Sequence, residues 1–147
     1  MLFAFLAVAV LAAAIATPSH AKKPPREYGD HAAVVEAVTD GDTLKVTIPG
    51  WPPIVGDHIG VRVRDVDTQE LKSKDQTAKD MAEAAKALVM KRLKPGDKVM
   101  LRRMGRGKYF RIVAEVILAD GTSWADIVSG AALARPYDGQ GPKPWKK

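Results

Sequence analysis

The sequence predicts a small five-stranded β-barrel braced by two main α-helices. Three observations carry that expectation. Short runs of alternating apolar and polar residues recur along the chain, as in residues 44–48, where Leu44, Val46 and Ile48 alternate with Lys45 and Thr47. Turn-forming groups separate these runs: Asp40-Gly41-Asp42, Gly105-Arg106-Gly107 and Asp120-Gly121. Between the third and fourth runs lies one long segment of helical period, residues 73–93.

Taken in order, residues 32–38 and 44–48 form a hairpin closed by Asp40-Gly41-Asp42. Pro49, Pro52 and Pro53 then break the ladder, because proline has no N–H to donate, and a loop runs to about Asp57. Residues 59–66 make the third strand. In the helix, Ala78, Met81, Ala82, Ala85, Leu88, Val89 and Leu93 share one face, Ser73 with Gln76 fits a capping box, and Pro95-Gly96 ends it. Residues 97–104 and 109–118 form the last two strands, turning at Gly105-Arg106-Gly107, with Tyr109 and Arg111 on one face by simple alternation. Ser123 caps a second helix through about Ala131, with Trp124 in its core face. Three strands, a helix, two strands and a helix match a five-stranded OB-type barrel.

The chain has 147 residues, the length of one domain, with 23 Lys and Arg against 17 Asp and Glu. Residues 1–21 carry no charge, and the apolar run ends at Ser19-His20-Ala21, which reads as a signal peptide cleaved after Ala21. Residues 22–31 read as a disordered leader, 32–137 as the folded domain and 138–147 as an irregular basic tail. Export to the periplasm or medium is expected; the rival reading is a retained anchor, for which the run is short, and in either case the residues after Ala21 carry the whole net charge of +6, which attracts polyanions. The absence of cysteine excludes a disulfide scaffold and a thiolate metal site. His20, His31 and His58 show no ligand spacing, which argues against a zinc centre.

The oxygen donors concentrate in two places. Asp40 and Asp42 flank the first turn; Asp67, Thr68 and Glu70 end the third strand. Carboxylates without cysteine suit a hard cation such as calcium or magnesium. Arg62 precedes Asp67 by five residues and Arg111 lies on the polar face of the last strand, and guanidinium groups clamp phosphates. Each motif taken singly reads more simply as a turn, a helix cap or a solvated arginine. For Arg62 and Asp67 to converge, the strand must bend between them, at Asp65.

Together, Asp-Gly-Asp-Thr at 40–43, Arg62-x₄-Asp67-Thr68-x-Glu70, and Lys108-Tyr109-x-Arg111 before Ala119-Asp120-Gly121 resemble the staphylococcal nuclease (thermonuclease) family over residues 33–137. The resemblance implies a calcium-dependent phosphodiesterase that cuts DNA and RNA with little sequence preference and leaves 3′-phosphates. It implies Ca²⁺ on Asp42, Asp67 and the Thr68 carbonyl, and Glu70 as general base. Arg62 and Arg111 would hold the scissile phosphate, Lys108 and Tyr109 would lie near the nucleotide phosphate, and Asp40 would sit behind the metal ligands. Tyr137 is a candidate base-stacking residue, and a monomer is the default.

The chain departs from the family at Asp65, usually small or apolar; at Gln69, usually proline; at Phe110, where glycine often precedes the clamp arginine; and in a longer Asp42-to-Arg62 connection containing Trp51. Arg106 mimics the clamp arginine, but the Ala-Asp-Gly register favours Arg111. Two rivals stand beside the nuclease reading: a catalytically silent OB-type module that only binds nucleic acid, and a basic envelope adaptor.

Overall fold

The computed structural model describes residues 26–145; the expected signal peptide and cleavage point lie outside them. Five strands close into a barrel in the order β1-β2-β3-β6-β5: β1 (His31–Asp40), β2 (Thr43–Thr47), β3 (Ile59–Val63), β5 (Lys98–Arg106) and β6 (Ile112–Leu118). All neighbours are antiparallel except β3 and β6, whose parallel pairing sets Arg62 beside Val113. A short α1 (Pro53–Gly56) lies in the β2–β3 loop, α2 (Gln76–Met90) follows the site, and α3 (Trp124–Gly130) follows β6. A separate two-stranded ribbon pairs β4 (Val66–Thr68) with β7 (Ala134–Pro136).

Alternation puts Leu44, Val46, Val61, Val63, Leu101, Ala114 and Val116 inside the barrel, all buried. One face of α2, Ala78, Ala82, Ala85 and Val89, is buried at three- and four-residue spacing. The small residues let the helix come close. A Cβ built on Gly41, at the β1–β2 turn, would lie 2.6 Å from the Ala85 Cβ and 3.0 Å from the Thr68 methyl. Gly41 is therefore required by close approach as well as by the turn. Trp124, fully buried, donates its indole N–H to the Gly41 carbonyl at 2.7 Å. Helices α2 and α3 thus seat the turn that carries Asp42.

Several elements differ from expectation. The expected third strand is two, β3 and β4, broken at Asp65, which has φ 65°. The bend falls where the Arg62–Asp67 convergence demanded it. Aspartate tolerates this left-handed conformation, and Asp65 is held there by Arg103 Nη1 at 2.8 Å. The capping box at Ser73 does not form: the helix starts at Gln76, so Asp75 is the N-cap and accepts from the Ala78 amide at 2.8 Å. Ser123 occupies the N-cap position of α3 without a side-chain cap bond. β5 runs through Gly105 and Arg106, and β6 starts only at Ile112. Tyr109 and Phe110 have φ of 55° and 56°, so the alternation expected to place Tyr109 and Arg111 on one face does not reach them. The leader is not wholly detached, since the Tyr28 amide donates to the Met104 carbonyl.

Candidate functional site

The site is assembled by the β1–β2 turn, β3, β4 and the C-terminal tail. Asp42, Asp67 and Thr68 are buried polar residues, and Asp67 is 1% exposed. Burying two carboxylates is costly unless they are paired. Arg62 supplies the pairing: Nη1 lies 2.5 Å from Asp42 Oδ2 and Nη2 2.6 Å from Asp67 Oδ1. Asp42 Oδ2 also accepts from the Thr68 amide at 2.8 Å and the Thr68 hydroxyl at 2.9 Å. The Thr43 hydroxyl donates to Asp42 Oδ1 at 3.0 Å. The β1–β2 turn and the β3–β4 stretch, 20 or more residues apart, are locked into one polar knot.

The knot is acidic on balance. Burial is the largest influence on the Asp67 carboxyl; it outweighs Lys143 and Arg62, and the group titrates above its ordinary range. Asp40, at the end of β1, is also pushed up, first by burial and then by the nearby Asp42 charge. An added cation would relieve both.

The tail already brings one. Lys143 Nζ lies 2.6 Å from Glu70 Oε1 and 3.6 Å from Asp67 Oδ1. Burial alone would depress the Lys143 ammonium, but its bond to Glu70 and the field of Asp67 win, and its pKa is raised. Trp145 Nε1 donates to the Asp67 carbonyl at 2.9 Å, and the Arg135 guanidinium stacks on the Trp145 ring at 3.9 Å. Arg135 also donates to the Pro144 carbonyl at 2.7 Å. Residues 138–145 form no helix or strand, and they make a strap fastened across the acidic knot. Lys143, Trp145 and Arg135 are the functional neighbours that sequence reasoning missed. The available signal was a lysine and a tryptophan closing a basic tail, with no periodicity to place them.

Of the expected site residues, Arg62, Asp42, Asp67 and Thr68 come together, and Asp40 and Glu70 adjoin them through the Asp40 and Lys143 interactions. For Thr68, the contacts to Asp42 run through its amide and hydroxyl. Arg111 packs along the barrel exterior: its Cγ would lie 3.5 Å from a Cβ built on Gly60. Gly60 and Arg62 alternate onto the same outward face of β3, so Arg111 packs on the face that also carries Arg62. Among the described residues, its buried Nε has no hydrogen-bond partner. Lys108 and Tyr109 lie on the exposed β5–β6 turn, away from the knot's hydrogen bonds. Tyr137 donates its hydroxyl to the Gly141 carbonyl and its amide to the Asp65 carbonyl, which ties the tail to the β3–β4 bend.

No protein-family model matches the chain, and none of the curated proteins matches it.

Proposed function

We propose that the protein is a calcium-dependent nuclease on an OB-type barrel, exported to the periplasm or medium, acting as a monomer on DNA and RNA and leaving 3′-phosphates. One observation carries the reading: two buried carboxylates from separate segments, Asp42 and Asp67, converge on one arginine beside a more exposed carboxylate, Glu70. The donor set is carboxylate, hydroxyl and main-chain oxygen, which fits a hard cation. Asp42 and Asp67 would hold Ca²⁺ together with the Thr68 carbonyl, and Asp40 would stand behind them. When bound, the ion supplies positive charge to the phosphate and acidifies coordinated water.

The protein's own residues do the rest. Arg62, exchanging one of its carboxylate contacts for a phosphate oxygen, and Arg111, with its spare N–H, neutralise the scissile phosphodiester. Glu70 is the most solvent-facing carboxylate of the group and accepts the proton of the attacking water. Lys108 and Tyr109 would contact the polymer near the nucleotide phosphate, and Tyr137 would stack a base. The net charge of +6 holds the polymer by counterion release without reading its sequence.

A specific observation favours the second reading, a silent nucleic-acid-binding module. Arg62 and Lys143 already pair with Asp42, Asp67 and Glu70, and among the described residues no three His, Cys, Asp or Glu side chains are grouped to hold a metal ion. Plasmid digestion separates the two. The nuclease cuts in calcium, stops in a calcium chelator and leaves ends with 3′-phosphates; folded protein that shifts DNA in a gel but never cuts it is the silent module.

A further inference from the structure

We infer that the cavity beside Arg111 is a subsite for an unpaired nucleobase of a single-stranded polynucleotide. The choice of ligand rests on the nucleic-acid reading above; the cavity itself does not. It has a volume of about 390 Å³ and opens between the β2–β3 loop, Tyr28 and the β5–β6 turn. Three of its walls are aromatic: Tyr28, Trp51 and Phe110. Among the described residues, the charged ones lining it are Arg106 and Arg111, both cationic, and none is a carboxylate. An apolar slot rimmed only by positive charge matches a flat ring attached to a phosphate.

Three features indicate a built site. Trp51 is fixed from two sides. The His31 ring meets it edge-on at 5.1 Å, and a Cβ on Gly56 would strike the Trp51 Cβ at 2.7 Å, so the α1 glycine makes room for it. Phe110 is 70% exposed and Tyr109 93% exposed, and both hold positive φ, a conformation disfavoured for bulky side chains. The Gly107 amide, donating to the Arg111 carbonyl at 2.6 Å, closes the turn that imposes it. Strain that displays aromatic rings is characteristic of a ligand clamp. Finally, the buried Arg111 Nε lacks an acceptor, which a phosphate or base oxygen would provide.

The position is also consistent. Arg111 lies between the cavity it lines and the outward face of β3 that carries Arg62. A strand whose phosphate meets Arg62 and Arg111 can therefore turn a neighbouring base onto Trp51 and Phe110. A duplex, with its bases stacked and paired, cannot offer one. The subsite thus gives preference for single strands, and it uses two of the four departures from the family's pattern, the long Trp51 loop and Phe110.

The test is oligonucleotide binding by the full mature chain in a chelator, where no cleavage occurs. The probes are a short oligothymidylate and an abasic strand of the same length and phosphate count. Wild type should bind the oligothymidylate at least about fivefold more tightly, the lower end of what one stacked base contributes. Trp51→Ala and Phe110→Ala should erase that ratio while leaving abasic binding unchanged, and Trp51→Phe should restore it. Equal affinity of wild type for the two strands overturns the inference without reference to any variant's folding. So does a loss that is equal on both strands. Base-dependent binding by a protein that never cuts would sink the nuclease reading and leave this subsite standing.

Discussion

Replacing Arg62 with leucine removes the guanidinium that bridges Asp42 and Asp67. The side chains are 14%, 10% and 1% exposed, so the two carboxylates stay out of water when their partner goes. Breaking a buried pair from one side costs about 3–5 kcal/mol because an uncompensated charge remains. For a domain of this size each kcal/mol shifts the melting temperature by about 4 °C, so a loss of about 12–20 °C is expected in a chelator. The assay is thermal unfolding followed by circular dichroism, with and without calcium. Leucine clears the guanidinium from between the two carboxylates, so calcium should raise the variant's melting temperature by more than it raises wild type's. A loss below about 1 kcal/mol would show that water reaches the carboxylates and that Arg62 does not hold the knot. A full loss with no calcium rescue would show that Asp42 and Asp67 do not form a cation site.

Three further outcomes follow from the same geometry. Lys143→Met removes an ammonium that competes for Glu70 and Asp67, so calcium should bind about three- to tenfold more tightly by calorimetry; unchanged or weaker binding refutes competition by the strap. Asp67 has a raised folded pKa, so its stabilising contribution is complete below the unfolded value near 3.9 and is lost as pH rises through the folded value. In a chelator, the stability of wild type minus that of Asp67→Asn should therefore fall from acid to neutral pH, and a rising difference refutes burial as the dominant influence. Gly41→Ala forces a methyl to within 2.6 Å of the Ala85 Cβ and should cost about 1–3 kcal/mol while weakening calcium binding, whereas the exposed Gly121→Ala should leave calcium binding intact.

The sequence revealed the barrel because its strands bury alternate residues on one side, and that signal is local. The joint motif resemblance grouped Asp42, Arg62, Asp67 and Thr68, and the bend at Asp65 followed from parity once Arg62 and Asp67 were required to converge. What the sequence hid was non-local. Gly41 looked like an ordinary turn glycine, and its stricter constraint comes from Ala85, far along the chain. β7 has three residues, too few to show a period, and exists because Ala134, Arg135 and Pro136 pair with β4. Lys143 and Trp145 carry no pattern; they become part of the site only because that ribbon delivers the tail to Asp67. The role expected of Arg111 against the phosphate depends on a ligand; what the structure gives is its packing against Gly60, on the β3 face that also carries Arg62. The positive φ of Tyr109 and Phe110 contradicts the strand alternation because the turn geometry there overrides propensity.

The central claim is that Glu70 acts as a base beside a cation held by Asp42 and Asp67. Cleavage of a defined oligonucleotide under single-turnover conditions in saturating calcium, comparing wild type with Glu70→Gln, tests it most directly. The account predicts a rate lower by about 10²–10⁴ in the variant, with oligonucleotide binding in a chelator unchanged. A variant that cuts at the wild-type rate would contradict it, as would folded wild-type protein that does not cut.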